Sequence, residues 1–295
     1  MLENVLLGFS QVAGQAFYLE DLFSFFDIEP SIRAPRDPLP FPEPIRTGFV
    51  FEDVGLRYPR SDAWAVRHLD LTIAAGEVLA LVGENGAGKT TIVKLMARLY
   101  DPTEGRILLD GRDLRDYDPE ELRRKVGVIF QDFVRYHFTA GENIGIGRVS
   151  ALEDRDRVRD AAAQSLADQV VARLPRGFDQ PLGRRFDEGI DLSGGEWQKI
   201  AIARAYMRDA EVLILDEPTA ALDARAEFEV FQRFSDLSRD RTVVLISHRF
   251  STVRMADRVV VLGGGRVMEE GSHAELIRLG GRYAERFELQ AAGYR

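Results

Sequence analysis

Gly83, Glu84, Asn85, Gly86, Ala87, Gly88, Lys89 and Thr90 fit the pattern G-x-x-x-x-G-K-[ST] and follow an apolar run at residues 78–82. A buried strand entering the loop, three glycines that let successive N–H groups turn inward, and a helix continuing from Thr91 together make a hollow of positive potential. Such a hollow suits the phosphates of a nucleotide. Lys89 is then expected on the β- and γ-phosphates, and the Thr90 hydroxyl on Mg²⁺. A chance glycine turn ahead of a helix is the plain alternative, and the order strand, loop, helix argues against it.

A second group of candidates lies at other strand ends. The apolar run at residues 212–215 finishes in Asp216 and Glu217, where the carboxyl ends of parallel strands meet a ligand crevice. Asp216 is expected to hold Mg²⁺ directly or through water, and Glu217 to polarise the water that attacks the γ-phosphorus. Gln131 follows a strand over 126–130, where its amide could touch Mg²⁺ or that water. His248 follows the strand at 243–247, where a neutral imidazole could bond the γ-phosphate and orient the water. Taken singly, a strand-end His is more often structural, and Asp223 in Ala221-Leu222-Asp223 reads as a helix cap.

Leu192, Ser193, Gly194, Gly195 and Glu196 precede a helical stretch at 197–207 and contain no lysine. The Ser193 hydroxyl, the glycine N–H groups and the helix start suit a second phosphate cradle. One nucleotide does not need two cradles from a single chain, so this one is expected to complete the site of a neighbouring copy in a head-to-tail dimer. A serine N-cap after a glycine turn is the plain alternative. Tyr58, in the turn Arg57-Tyr58-Pro59, fits a core role as well as stacking on a base.

These residues need elements to carry them. Residues 49–54 and 69–73 alternate as half-exposed antiparallel strands, giving an early β-subdomain. The runs at 78–82, 212–215 and 243–246 are apolar throughout, the pattern of parallel strands covered on both faces, and should form the sheet centre. Residues 151–174 hold no Gly or Pro and predict one or two helices inserted between sheet strands; the charges at 153–157 read as a solvated helix face. At the start of the chain, Leu2, Val5, Leu6, Phe9, Val12, Ala13, Ala16, Leu19, Phe23 and Phe26 recur at helical spacing, predicting one helix over 2–27. Its apolar stripe either packs on its own domain or is the tail of a longer helix. Six of the twelve prolines fall within residues 30–44, which reads as a linker into a domain starting near Gly48.

Composition limits the partners. With 295 residues, 45 % hydrophobic and 29 % charged, one or two globular domains are expected. The longest apolar run is far short of the roughly 20 residues a membrane span needs, so any membrane role is expected to come through attachment. Residues 1–32 carry no Lys or Arg, which argues against a secretory or transit signal and for the cytosolic side. The absence of Cys excludes a disulfide framework and a thiolate zinc site. A net charge of −9 disfavours a nucleic-acid partner.

Taken together, residues 48–290 resemble the nucleotide-binding domain of ATP-binding cassette (ABC) transporters. In that resemblance Tyr58 is the base-stacking aromatic, 83–90 Walker A with Thr91 beside it, Gln131 the Q-loop, 192–196 the signature, 212–217 Walker B, Asp223 the D-loop residue and His248 the switch histidine. The stretches 141–144, 247–253 and 271–276 look most like exporters that fuse a membrane domain to the cassette. The resemblance implies an α/β fold: a P-loop NTPase core with a parallel sheet, an antiparallel β-subdomain and an inserted helical subdomain at about 132–205, preceded by an N-terminal helix. Residues 1–29 then resemble the cytosolic end of a last transmembrane helix, 30–47 the linker and 291–295 a tail. It further implies an ATPase using Lys89, Gln131, Glu217 and His248, with ATP and Mg²⁺ and with Thr90, Gln131 and Asp216 around the metal. Its partners would be a second, most simply identical cassette and a transmembrane domain, at the cytoplasmic face of a bacterial inner membrane.

Two departures from the family pattern stand out: Glu196 stands where Gln is usual, and Phe186-Asp187-Glu188-Gly189 replaces Gly-Glu-x-Gly ahead of the signature. Three other readings compete. An importer subunit docking on a separate membrane protein leaves the apolar N-terminal helix without purpose. A cassette ATPase acting on nucleic acid or ribosomes conflicts with the acidic charge and with the short interval between Lys89 and Asp216. A non-hydrolysing regulatory cassette conflicts with intact Lys89, Glu217 and His248.

Overall fold

The computed structural model describes residues 2–130, 132–185, 188–217, 229, 241–247 and 249–293, and the chain separates into two units, Met1–Arg33 and Ala34–Arg295. The first unit is built on α1 (Leu2–Phe26), as the helical spacing predicts. Phe17, Leu22, Phe23 and Phe26 of this helix are exposed. Among the described residues, no helix is long and apolar enough to cross a membrane.

The second unit runs through β1 (Gly48–Arg57), β2 (Trp64–Ala74), β3 (Val78–Gly83), α2 (Lys89–Met96), β4 (Glu104–Leu109), β5 (Arg112–Asp113), α3 (Pro119–Lys125) and β6 (Val126–Ile129). Next come α4 (Ala140–Gly145), α5 (Arg155–Ser165), α6 (Ala167–Val171), α7 (Gly194–Tyr206), β7 (Val212–Asp216) and β8 (Thr242–Ile246). It closes with α8 (Phe250–Val253), β9 (Arg258–Gly263), β10 (Arg266–Gly271), α9 (His273–Leu279) and α10 (Arg282–Gly293).

Alternation in β1 and β2 buries Phe49, Phe51, Leu69, Leu71 and Ile73, leaves Val50 and Glu52 partly exposed and turns Asp70 and Thr72 out. These strands form the expected antiparallel sheet, in the order β2-β1-β4-β5. The larger sheet has the order β10-β9-β3-β8-β7-β6, parallel except for the edge strand β10. Strands β7 and β8 are buried at every position, which is why their sequence shows no alternation. Leu81 pairs with Ile246, Ile246 with Asp216 and Gly83 with Leu262, so the carboxyl ends of β3, β7, β8 and β9 lie at one edge of the sheet. Asp216 and Glu217 therefore leave the sheet at the same rim as the phosphate loop.

Helices α4 to α7 enter between β6 and β7, as expected for an inserted subdomain. They share a core of Ile144, Ala162, Val170, Leu182, Trp197 and Ile200. Residues 153–156 are exposed, but Arg157 turns inward: its Nη2 donates to Met207 O at 2.8 Å and to Asp209 Oδ1 at 2.7 Å. In the second unit, the proline-rich stretch has no helix or central strand yet is anchored. Leu39 bridges Tyr117, Phe41 is in the core, and the Asp110 carboxylate accepts N–H bonds from Arg46, Thr47 and Gly48.

Trp197, 1 % exposed, fills the centre of the inserted helices one turn past the second cradle. Trp197→Ala should lower unfolding stability by about 3–5 kcal/mol in a denaturant titration. A loss below about 1 kcal/mol would mean that the subdomain is not held by this core.

Candidate functional site

The phosphate loop leaves β3 at Gly83, where an added Cβ would lie 2.6 Å from the Leu262 carbonyl oxygen of the neighbouring strand. Gly88 has φ +103°, and a Cβ there would meet Val66 Cγ1 at 2.6 Å. Only glycine fits either place. Gly88 is also the N-cap of α2 and supplies no capping side chain, so the first-turn N–H groups of that helix remain available to an anion. The helix begins at Lys89, two residues earlier than the sequence suggests.

Lys89 is 7 % exposed. Its Nζ donates to the carbonyls of Gly83 and Glu84, both at 2.9 Å, which occupies two of its three protons. Burial pulls its pKa down; Glu217 and Asp216 push it back up in part, and Arg286 adds to the decrease. The Thr90 hydroxyl donates to Asp216 Oδ2 at 3.0 Å. Asp216 is 4 % exposed, and burial raises its pKa, with the Thr90 bond opposing and Glu217 reinforcing the rise. A hydroxyl and a carboxylate are the hard oxygen donors that Mg²⁺ accepts when it keeps most of its shell for water and phosphate, so this pair fits that ion.

Glu217, half-buried, adopts φ +48°, an uncommon conformation for a residue other than glycine. Its backbone fixes it there: the N–H donates to Ile246 O at 2.9 Å, and its carbonyl accepts from Gln198 Nε2 of α7 at 3.4 Å. Backbone strain of this kind clusters at working sites. Gln131, Asp223 and His248 lie outside the described residues. So do Phe186 and Asp187 of the departure ahead of the second cradle.

Tyr58 is half-buried. Its hydroxyl shares a 3.1 Å hydrogen bond with Thr91 Oγ1, Tyr100 meets its ring edge-on at 5.1 Å, and Lys94 Nζ lies 5.1 Å from its centroid. Thr91 itself is buried at the start of α2. This links the aromatic to the helix that carries Lys89 and Thr90.

Ser193 is the N-cap of α7. Glu196 N donates to Ser193 Oγ, while Glu196 Oε2 accepts from Ser193 N at 2.9 Å and from Ser193 Oγ at 2.8 Å. The plain capping role and the cradle role therefore fall on the same atoms. Gly194 and Gly195 form the first turn, and Leu192 anchors the segment in the subdomain core. Burial pushes the Glu196 pKa up, but the bonds from Ser193 and the charges of Arg173 and Lys199 bring it below the usual glutamate value. This reciprocal pair is legible as S-x-x-E in the sequence, at Ser193 and Glu196.

Arg204, near the other end of α7, had no sequence signal. Its guanidinium donates to Asn143 O and Asn143 Oδ1, both at 2.8 Å, and to Val134 O at 2.6 Å, and it stacks on Tyr136. Burial pulls its pKa down to about 10. It ties the helix behind the second cradle to the loop that follows residue 131. The partners are 61 and 70 residues away, which no local pattern could reveal.

A strand-loop-helix phosphate cradle with a strand-end carboxylate at its threonine defines a P-loop nucleotide-binding domain. A family model described as "ABC transporter" matches residues 66–220, and the chain belongs to that family, of which it carries the ATP-binding ATPase domain. The ATP-dependent lipid A-core flippase of Cupriavidus metallidurans is 45 % identical over 252 residues, covering 85 % of this chain and 42 % of the flippase. The subtilin transport ATP-binding protein SpaT of Bacillus subtilis is 36 % identical over 276 residues, covering 94 % of this chain and 45 % of SpaT. A solved structure of a bacterial Atm1-family ABC exporter with ATP bound superposes with a TM-score of 0.87 at 36 % identity, over 95 % of this chain and 48 % of that one. The chain thus spans less than half the length of these relatives.

The Glu196 bonds carry a pH signature. A carboxylate held below its ordinary pKa in the folded chain stabilises fully above that ordinary value, and the effect is lost as pH falls through the lowered one. The Tm gap between wild type and Glu196→Ala should therefore be full at neutral pH and narrow as pH falls below the ordinary glutamate range and through the lowered value. A gap of constant size over that range would remove the charged capping box from the account.

Proposed function

We propose that this chain is the ATP-hydrolysing motor portion of a bacterial exporter, closing head to tail with a second, identical cassette on two ATP molecules. The observation that carries the reading is the Lys89 ammonium, fixed by two loop carbonyls beside the Thr90–Asp216 pair. The remaining Lys89 proton and backbone N–H groups of the loop and of the first turn of α2 receive the β- and γ-phosphates. Tyr58 stacks on the base. Thr90 and Asp216, with Gln131, would hold Mg²⁺, which neutralises charge on the phosphate oxygens when bound.

Glu217 takes a proton from the attacking water as its oxygen bonds to the γ-phosphorus and the bond to the β-phosphate oxygen breaks. His248 bonds the γ-phosphate and orients the water, and Gln131 reports whether that phosphate is present. Catalysis of this type needs positioning and charge stabilisation rather than a covalent intermediate. From the partner cassette, Ser193, Gly194, Gly195 and the flanking Leu192 and Glu196 close over the same nucleotide, with Asp223 at the junction.

In this reading residues 48–290 are the cassette, with the helical subdomain at about 132–205 and a tail at 291–295. Residues 1–29 are the cytosolic end of a last transmembrane helix, and 30–47 the connection from it. The exposed aromatic side chains of α1 support an attachment of that kind. The cassette then works at the cytoplasmic face of the inner membrane, and nucleic acid is not a partner.

Glu217→Gln should bind ATP as wild type does, lose turnover by at least about a hundredfold, and accumulate an ATP-dependent dimer in size-exclusion chromatography. Native turnover in that variant would take Glu217 out of the role of base, and a strictly monomeric ATP complex would remove the dimer.

A further inference from the structure

The outer side of the phosphate loop is poorly supported by packing. Glu84, Asn85 and Gly86 are exposed, and a cavity of about 690 Å³ lies between residues 84–87 and the last helix, α10. One side chain crosses that space: Arg286 Nη2 donates to Glu84 Oε1 at 2.7 Å, across 202 residues of chain.

Arg286 is delivered there by a well-fixed element. The Glu269 carboxylate of β10 accepts the N–H groups of Arg282 and Tyr283 at 2.7 and 3.2 Å, capping the start of α10. Tyr283 is fully buried against Val82, Val259 and Val261, so it pins the same turn to the strands that flank the loop. Arg286 follows three residues later, on the same helical face as Tyr283. At the other end of the bridge, the carbonyl of Glu84 is one of the two that hold the Lys89 ammonium, and it also accepts the Ala87 N–H at 3.1 Å.

We infer that Arg286 is a positioning residue for the nucleotide: through Glu84, it holds the phosphate loop, and with it Lys89, in the shape that receives a triphosphate. This rests on the reading of 83–90 as the ATP phosphate cradle. The C-terminal helix thereby becomes part of the nucleotide site without touching the ligand. Because the Glu84 side chain is 79 % exposed, the effect is of the size of a surface ion pair and sensitive to salt.

The test is a double-mutant cycle on the 295-residue chain, with ATP binding measured by calorimetry and folding by thermal melts. At low ionic strength, Arg286→Ala should weaken ATP binding about twofold to fivefold. In the Glu84→Ala background the same substitution should cost distinctly less, because the acceptor of the bond it removes is already gone. Arg286→Lys should recover much of the loss, and at about 1 M salt wild type and Arg286→Ala should converge. Equal affinity of wild type and Arg286→Ala, an equal loss in both backgrounds, or a lower Tm without change in affinity would each overturn the inference. Failure of wild type itself to bind ATP would instead strike the phosphate-cradle reading, and this inference would fall with it.

Discussion

The rest of the site depends on a buried ammonium ion. An isolated charge the size of Lys89 Nζ is costly to take out of water, and it is tolerated only when hydrogen bonds and opposite charge surround it. Here two carbonyls of the tight loop hold it, and the charges of Glu217 and Asp216, at the end of β7 one strand beyond the neighbouring β8, act on it. The arrangement is electrostatically incomplete in a useful way. Burial keeps the site low in dielectric, so under the proposed function an incoming phosphate would meet a donor already oriented and little hydrated.

That incompleteness explains several otherwise unfavourable features. Asp216 sits at the end of a fully buried strand with its carboxylate against a hydroxyl, and burial works against its ionised form. Glu217 is held at a positive φ by bonds to β8 and to α7. Gly88 and Gly83 give up side-chain packing so that the loop can pass close to Val66 and Leu262. Each lowers stability locally for the sake of a site shape, and the double-sided burial of β7 and β8 offsets them. The same logic reaches the second cradle, where Ser193 caps α7 with the hydroxyl that the trans reading assigns to phosphate.

Much of this was legible in the chain itself. Motifs of fixed local spacing, such as 83–90 and 212–217, announce both their backbone shape and their chemistry, because the strand, turn and helix that make them are contiguous. The apolar runs without alternation gave the sheet centre, and the alternating runs the antiparallel subdomain, for the same reason of local periodicity. What escaped were long-range side-chain contacts outside those motifs: Arg204 on Asn143 and Val134, Arg286 on Glu84, Gln198 on Glu217. The proline-rich stretch shows a different limit. Its lack of helix and strand follows from ring chemistry, but its anchoring by Phe41, Leu39 and the Asp110 carboxylate depends on partners far away in sequence.

The most direct test of this account is the thermal stability of the chain with and without Mg·ATP, in wild type and in Lys89→Ala. A ligand at a hundred times its Kd stabilises the folded state by about 2.7 kcal/mol, which a melt resolves easily. The account predicts a clear upward shift in Tm for wild type and none for Lys89→Ala at the same nucleotide concentration. Equal shifts in the two proteins would contradict it, because the ammonium held by Gly83 and Glu84 would then have no part in receiving the phosphates.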